Sequence, residues 1–317
     1  MNPDPPPSGP VPGSAISALM VSFQTGPILW QALNAALAEP MIGEIWLVDN
    51  GNAPGVLTRL ESLARAEPRL RLLAGEGNIG FGRACNLAAA RAGGDLILLL
   101  NPDLLIQPGA AAQLMGALAQ AKSPAIIGGR ILGKDGQEQR GARRDRLTPW
   151  TALVAVSGMG RLERLHKLFR DPHREKDPLP DAPISVGAVS GAFLMMRRAD
   201  YLALGGFDPA FFLHVEDVDL CARAKAAGGD VVFQPSAIGM HSGASSQASS
   251  LFIERHKARG FALLFARHAQ TPWERLGGMA VAALLGIAFT LRGVARDWRK
   301  RGWRANAPAA SSSSPPH

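Results

Sequence analysis

One short stretch places an acidic side chain where it could hold a metal ion. Residues 95–103 read Asp-Leu-Ile-Leu-Leu-Leu-Asn-Pro-Asp, an apolar run that stops at Asn101 and Asp103. A short apolar run bounded by glycines predicts a strand covered on both faces, as in parallel sheets. Ligands of open α/β sheets bind at the carboxyl ends of the strands. A carboxylate there could hold a divalent cation against a phosphate, although Asn, Pro and Asp also favour simple turns.

A second acidic pair opens a predicted helix. Glu216 and Asp217 follow the segment Gly-Gly-Phe-Asp-Pro-Ala-Phe-Phe-Leu-His-Val, residues 205–215. The helix dipole keeps a carboxylate at a helix N-terminus charged. Such a group can take the proton of an attacking hydroxyl. The alternative is an acidic first helical turn, a common feature without a catalytic role.

Other candidate residues lie where predicted elements begin or end. Asp49 ends an apolar run, and His241 follows one in a loop of small residues. The glycine-rich turn 77–82 precedes an alanine-rich segment, where backbone N–H groups could approach an anion at a helix N-terminus. Gly191 and Ala192 are two consecutive small residues within an apolar run. The alternatives are an Asx-turn at Asp49, close packing at the two small residues and a surface loop at His241.

An alternation of strands and helices must position these residues. We predict strands near 15–23, 44–48, 69–73, 96–100, 125–130, 187–196 and 230–235, and helices near 27–39, 56–66, 83–93, 108–121, 148–170, 250–268 and 271–304. This rhythm is typical of βαβ units and an α/β sheet. No G-x-G-x-x-G follows the first strand, which argues against an NAD or FAD enzyme.

Charge and cysteine content narrow the classes of partner. The formal net charge is +8, and residues 292–304 carry about +5 of it, which indicates a local anionic partner. No helix-turn-helix, zinc-finger or RNA-binding signature accompanies the charge, so we expect no nucleic-acid partner. The two cysteines indicate reduced thiols in a cytosolic protein. Residues 1–13 lack the features of a secretion signal and predict a disordered lead-in.

Taken together, the motifs resemble the family 2 glycosyltransferases. The resemblance covers residues 15–246 and implies a GT-A fold: a Rossmann-like, mixed but mainly parallel sheet flanked by helices, here with a C-terminal helical extension. The family usually has Asp-x-Asp where this chain has Asn101 and Asp103, a variant similar to the rhamnosyltransferase-like branch. Phe23-Gln24 and Asn52-Ala53-Pro54 also depart from the family pattern.

The resemblance implies a role for each candidate residue. Asp217 is the expected base, with Glu216 as the alternative, while Asp103 and His241 are the expected ligands of Mg or Mn. Asp219 is expected to be a structural partner of the helix start. The expected donor-binding residues are Asp49, Asn78, Gly80, Gly82, Asn101, Gly191 and Ala192.

The implied activity is an inverting, metal-assisted single displacement. The expected donor is dTDP-L-rhamnose and the expected acceptor a saccharide or lipid-linked saccharide of bacterial surface polysaccharide. UDP-galactofuranose or a UDP-hexose is the alternative donor within this class. A GT-A module that binds a nucleotide without catalysis is the alternative from another class.

The ends of the chain and one internal region are harder to interpret. We expect a transferase domain over 14–268, a basic helical segment over 269–305 and a disordered tail over 306–317. The uncharged part of that segment, 276–291, is shorter than the ~20 residues that span a bilayer. It is expected to lie flat on an anionic membrane or to pack on the domain, which leaves two locations open: cytoplasmic, or peripheral on the inner face of the membrane. Residues 140–181 suggest an insertion facing the acceptor or the membrane, or a solvated surface.

Overall fold

The computed structural model describes residues 16–241 and 249–305. The strands are β1 Ile16–Ser22, β2 Ile42–Asp49, β3 Leu70–Leu73, β4 Leu96–Leu100, β5 Leu104–Ile106, β6 Ile126–Leu132, β7 Arg143–Arg144, β8 Ile184–Ser185, β9 Ala188–Val189, β10 Phe193–Arg197 and β11 Val231–His241. The α-helices are α1 Ile28–Ala38, α2 Pro54–Ala66, α3 Phe81–Arg91, α4 Ala110–Gln120, α5 Pro149–Ser157, α6 Arg198–Ala203, α7 Glu216–Ala226, α8 Ser250–His268 and α9 Pro272–Ala305. The predicted disordered segments 1–13 and 306–317 and the serines after His241 lie outside the described residues.

A mixed, mainly parallel sheet runs through the described part of the chain. Its nine strands follow the order β3-β2-β1-β4-β10-β6-β11-β5, with β8 also paired to β11. The pairs β2–β3, β1–β2, β1–β4 and β6–β11 are parallel, whereas β10 runs antiparallel between β4 and β6. This arrangement is the α/β architecture expected from the sequence.

Apolar runs explain why the central strands are covered on both faces. β1 is buried at every residue and β4 at all but its first, as their continuous apolar sequences predict. One core lies between the sheet and helices α3, α7, α8 and α9. A second core lies on the other face, against α1 and α4. The sheet is therefore the middle layer of three.

The strand directions bring several chain segments to one edge of the sheet. β2 ends at Asp49 and β4 at Leu100, and both run parallel to β1, which lies between them. β10 enters antiparallel to β4 at this same edge, where Phe193 pairs with Leu100. β11 points in the direction of β4, so His241 at its end also lies there. Residues far apart in sequence thereby meet at the carboxyl edge.

The two C-terminal helices pack along each other. Ser249 caps α8, since its Oγ accepts the Phe252 N–H at 3.1 Å. The Asp297 carboxylate of α9 accepts the N–H groups of Ser250 and Leu251 at 2.9 and 3.0 Å. A Cβ on Gly293 would lie 2.9 Å from the Leu251 Cα, so this close crossing requires glycine. The capping interaction fixes α9 against the domain.

Two predicted elements are shorter than expected. The helix predicted over 148–170 ends at Ser157, because Gly158 adopts a left-handed φ of 79°, and short 3-10 turns follow. The strand predicted over 187–196 divides into β9 and β10. Gly191 lies in the break, where its N–H donates to Asp217 instead of to a neighbouring strand.

The C-terminal helix matches the one predicted over 271–304, since α9 spans Pro272–Ala305. Within the described residues, the 27 residues Pro272–Trp298 of this helix contain an 18-residue window with a mean hydropathy of 1.8. By length and composition this stretch could cross a bilayer, whereas the sequence analysis considered only the shorter uncharged run 276–291. One face of this helix nevertheless packs on the domain through Ala282, Leu285 and Phe289, which are buried.

Candidate active site

A cavity of about 830 Å³ opens at the carboxyl edge of the sheet. It is lined on one side by Asn101 and His241, which follow β4 and end β11. Glu216 and Asp217 line it from the start of α7. Residues of α5, α8 and α9 also line it. His241 and the two candidate base residues therefore reach one cavity from separate parts of the fold.

Asp217 is held by an arginine and by two backbone N–H groups. Arg144 donates to Asp217 Oδ2 at 2.7 Å, and Gly191 N–H donates to the same oxygen at 3.1 Å. The Val218 N–H donates to Oδ1 at 2.8 Å. Burial raises the pKa of Asp217, but these contacts, above all the Arg144 guanidinium, outweigh burial and leave the pKa below its ordinary value. Asp217 is therefore ionised at neutral pH.

The neighbouring Glu216 has the opposite electrostatic environment. Burial, and next the charge of Asp217, raise the pKa of Glu216 to about 8. Among the described residues, its Oε2 has no hydrogen-bond partner. Two adjacent carboxylates with separated pKa values divide into a charged group and a neutral group. At neutral pH the charged one is Asp217.

The backbone just before this acidic pair is strained. His214 and Val215 have φ values of 67° and 74°, in the left-handed region. A β-branched residue rarely adopts this conformation, and surrounding structure must hold it there. Gly260 of α8 contributes, since a Cβ at that position would lie 3.0 Å from the His214 carbonyl oxygen and 3.3 Å from the Val215 Cβ. Helix α8 therefore supports the segment that aims Glu216 and Asp217.

The two predicted metal ligands are in contact. His241 Nε2 lies 2.9 Å from Asp103 Oδ1, although the two residues are far apart in sequence. Gln139 donates through its Nε2 to the His241 carbonyl at 3.0 Å, which orients its Oε1 toward His241 Nδ1 at 2.7 Å. Nδ1 is then the donor, which leaves Nε2 with a lone pair. This nitrogen lies next to the carboxylate oxygen of Asp103. An imidazole held in this way is the usual form of a metal-binding histidine.

The expected donor-binding residue Asp49 lies further along the same edge. Asp49 is buried at the end of β2, and its Oδ1 accepts both the backbone N–H and the side-chain amide of Asn52. Asn50 links this strand to the glycine-rich turn: its Nδ2 donates to Asn78 Oδ1 at 3.0 Å, and its Oδ1 accepts the Ile79 N–H. Asp49 does not line the 830 Å³ cavity. On the sheet edge, β1 separates its strand from β4.

The glycines of the turn have a different local role from the one expected. The N–H of Gly80 donates to Asn78 Oδ1 and that of Phe81 to the Phe212 carbonyl, so these amides are not open to an anion. A Cβ on Gly80 would lie 2.8 Å from that carbonyl oxygen, and one on Gly82 would lie 2.9 Å from the Phe207 Cβ. Donor binding by Asn78, Gly80 and Gly82 stays a prediction. The glycines let the turn pack against residues 207–212.

Gly191 and Ala192, the small residues just before β10, line the cavity and also pack closely against neighbouring segments. Gly191 and Ala192 line the cavity, and a Cβ on Gly191 would lie 3.2 Å from the Asp217 Cβ. The Ala192 carbonyl accepts the Asn101 N–H at 3.0 Å, which ties the end of β4 to the start of β10. A larger residue at 191 would displace the acidic side chain. Sequence alone left packing and donor contact as equal interpretations, and the structure shows the packing contact directly.

Comparison with known proteins shows the family to which the chain belongs. The profile described as "Glycosyl transferase family 2" matches residues 17–202, more than half of the chain. The chain belongs to glycosyltransferase family 2. It is therefore a glycosyltransferase, and the family and the enzyme class expected from the sequence are confirmed.

A curated family 2 relative is similar over most of its length. The N-acetylglucosaminyl-diphospho-decaprenol L-rhamnosyltransferase of Mycobacterium tuberculosis is 28% identical over 298 residues, which are 87% of this chain and 94% of that protein. This similarity supports the rhamnosyltransferase-like branch of the family.

Solved structures confirm the GT-A fold. GalNAc-T7 with UDP, GalNAc and Mn2+ superposes with a TM-score of 0.60 at 16% identity, over 82% of this chain and 49% of that one. The mannosyltransferase PcManGT from Pyrobaculum calidifontis, with GDP-Man and Mn2+, gives 0.52 at 15% identity, over 94% and 83%.

Several side chains of this family 2 site escaped the sequence analysis. Arg143 and Arg144 lie in the region interpreted as an insertion or a solvated surface, yet Arg143 is 2% exposed and Arg144 reaches Asp217. Gln139 had no distinguishing motif. Asp219, expected only to support the helix start, is fully buried and also pairs with Arg223 and with His268 of α8.

Proposed function

We propose that this protein is an inverting rhamnosyltransferase that moves L-rhamnose from dTDP-L-rhamnose to a lipid-linked saccharide of bacterial surface polysaccharide. The observation that carries the proposal is a shared cavity. Asp217 lines it beside His241, which contacts Asp103. The proposed base therefore faces the same space as His241 of the metal-binding pair, an arrangement that suits metal-assisted direct displacement at an anomeric carbon.

The proposed base is Asp217. Its low pKa keeps it ionised, so it can accept the acceptor hydroxyl proton as that oxygen attacks the anomeric carbon. Arg144 holds the carboxylate in place, and the Gly191 N–H fixes its orientation. Attack from the face opposite the leaving diphosphate inverts the anomeric configuration in one step. No covalent intermediate with the protein is needed.

The proposed metal site is the pair Asp103 and His241. Within residues 16–241 and 249–305, no three His, Cys, Asp or Glu side chains cluster as a full set of metal ligands. A carboxylate and an oriented imidazole nevertheless fit Mn2+ or Mg2+ when a diphosphate supplies further oxygens. When bound, the cation would neutralise charge on the leaving diphosphate. Solved relatives that carry Mn2+ with nucleotides support this assignment.

The metal assignment has a direct test. Asp103→Ala should remove most of the manganese-dependent part of nucleotide-sugar binding, measured by calorimetry with and without Mn2+. Asp95→Ala is the matched control, because Asp95 is exposed and lies just before β4, on the opposite edge of the sheet. Equal binding by the Asp103 variant and the wild type would place the metal elsewhere.

The proposed location is the inner face of the cytoplasmic membrane. One face of α9 carries apolar side chains that are more than half exposed and recur along the helix: Trp273, Leu276, Leu284, Ile287, Leu291, Val294 and Trp298. The opposite face packs on the domain, so a helix docked in this way would lie in the interface plane. Basic residues continue along the sequence to Arg304, and each would gain ~1 kcal/mol at an anionic surface.

The donor and acceptor are tested together. Thermal shift with dTDP-L-rhamnose, UDP-galactofuranose and a UDP-hexose, each with and without Mn2+, should show the largest stabilisation for the dTDP-sugar. Transfer to N-acetylglucosaminyl-diphospho-prenol should then be detectable by mass spectrometry. Stabilisation by UDP-sugars alone would show that the donor is a UDP-sugar and not dTDP-L-rhamnose. Binding of a nucleotide-sugar without transfer to any saccharide would favour the non-catalytic alternative.

A further inference from the structure

Two cations lie on a wall of the cavity that the catalytic assignments do not use. Lys257 of α8 and Arg292 of α9 both line the cavity and are half-buried. Lys257 Nζ lies 5.3 Å from the ring centre of Phe289, and Arg292 Cζ lies 5.7 Å from the same ring. Two like charges therefore meet around one aromatic ring.

Neither cation has an ion-pair partner within the described part of the chain. No carboxylate of residues 16–241 or 249–305 forms an ion pair with Lys257 or Arg292. Glu254, the acid nearest in sequence to Lys257, pairs with Arg296 at 2.8 Å. Half-buried like charges without an ion-pair partner are costly, and an anionic ligand would offset that cost.

The other basic side chains of the cavity are already occupied. Arg144 pairs with Asp217 at 2.7 Å, and Arg140 pairs with Asp171 at 2.9 Å. The positive charge without an ion-pair partner is thus concentrated at the α8–α9 wall. This wall is also apolar: Leu147, Ala152, Val156, Phe261 and Phe289 line it. A ligand that suits both properties carries phosphate and hydrocarbon next to each other.

We propose that Lys257 and Arg292 bind the diphosphate of a prenyl-diphosphate-linked acceptor, with its first isoprene units on the apolar wall. The inference rests on the proposed function for the saccharide end of the acceptor. Both residues lie outside the part of the chain that matches the family profile, residues 17–202. The donor diphosphate has its own proposed partners, Asp103 and His241, which are in contact with each other. The Lys257–Arg292 pair therefore selects the acceptor.

Membrane docking by α9 agrees with this assignment. Arg292 and Phe289 face the cavity, while Ile287, Leu291 and Val294 are more than half exposed on the other side of the same helix. A helix in the interface plane would bring the Lys257–Arg292 pair close to the level of lipid phosphates. The prenyl chain could then leave the cavity toward the bilayer.

Calorimetry with geranyl diphosphate tests the site without requiring turnover. Lys257→Met and Arg292→Met remove the charge but retain an unbranched stem against Phe289. Each should weaken geranyl diphosphate binding by about tenfold or more, and Lys257→Arg should restore it. Arg259→Met, an exposed position on the same helix, should bind as the wild type does. Binding of the dTDP-sugar should not change in any of these variants.

Kinetics then separate the site from the proposed function. For the lipid-linked acceptor, the methionine variants should raise the acceptor KM and leave the donor KM unchanged. Wild-type protein that binds geranyl diphosphate in a Lys257-dependent way but transfers no sugar would contradict the proposed function and leave the site standing. Unaltered prenyl diphosphate binding in the variants, or a rise in the donor KM instead, would overturn the site.

Discussion

At the residue scale, the site divides charge between two neighbouring carboxyl groups. Arg144 and two backbone N–H groups hold the pKa of Asp217 low and keep it ionised, while burial next to that charge raises the pKa of Glu216 and keeps it protonated at neutral pH. The same backbone turn presents both groups to the cavity. The pH dependence of catalysis therefore reports which carboxyl group is the base.

The first prediction concerns the pH profile. A base must be deprotonated, so activity rises with pH through the pKa of the base and is constant above it. With Asp217 as the base, kcat/KM should be flat from about pH 6 to about pH 8, with its rise confined to acidic pH. Removal of the guanidinium in Arg144→Gln should raise the pKa of Asp217 and move that rise to higher pH.

The measurement is kcat/KM for wild type and Arg144→Gln across that range, with Arg83→Gln as an exposed control. Activity that climbs about tenfold per pH unit up to about pH 8 would instead identify Glu216, whose pKa is about 8.

At the element scale, helix α8 supports the strained residues before the acidic pair. Gly260 brings α8 against His214 and Val215, both of which have left-handed backbone conformations. The contact joins the C-terminal helical layer to the start of α7. A change on α8 should therefore alter catalysis without touching any reacting group.

Gly260→Ala tests this support. Alanine favours a helix over glycine by about 1 kcal/mol, but its Cβ would lie 3.0 Å from the His214 carbonyl and push that segment. We expect kcat to fall by about tenfold or more with little loss of thermal stability. Gly277→Ala on α9 is the control, because a Cβ added there would meet no atom within 4 Å. Equal activity in both variants would show that α8 does not position the acids.

The sequence was informative wherever a local pattern decides the structure. Apolar runs predicted β1 and β4, and the acidic first turn predicted the start of α7 at Glu216. Contacts between distant segments were not predictable in this way. Nothing in the local sequence indicates that Arg144 forms an ion pair with Asp217. Nor does it indicate that the Phe212 carbonyl accepts a hydrogen bond from the Phe81 N–H. These contacts depend on how the sheet edge closes, which only the complete fold determines.

At the scale of the whole molecule, the C-terminal helices join a transferase domain to a surface suited to lipid. The exposed apolar face of α9 extends from Trp273 to Trp298, about 37 Å along the helix. Tryptophan at both ends is typical of segments at a membrane interface. The buried face of α9 meanwhile reaches the cavity through Phe289 and Arg292. One helix would thus connect the proposed membrane contact with the proposed acceptor site.

Two substitutions that place carboxylates on the exposed apolar face of α9 test the predicted membrane binding. Ile287→Glu combined with Leu291→Glu should reduce co-sedimentation with anionic vesicles by about tenfold or more, because each side chain loses apolar burial in lipid. The dTDP-sugar thermal shift should be retained. Leu202→Glu on α6, another exposed apolar residue, should sediment as the wild type does. Unchanged sedimentation of the double variant would exclude α9 as the docking surface.

The central claim is that the cavity at the carboxyl edge contains a catalytic base, and Asp217→Asn tests it most directly. The variant keeps the shape of the side chain and removes its negative charge. Sugar transfer should fall by at least about a hundredfold, while calorimetry still shows metal-dependent binding of the donor at nearly the wild-type affinity. Full turnover by Asp217→Asn would contradict the account.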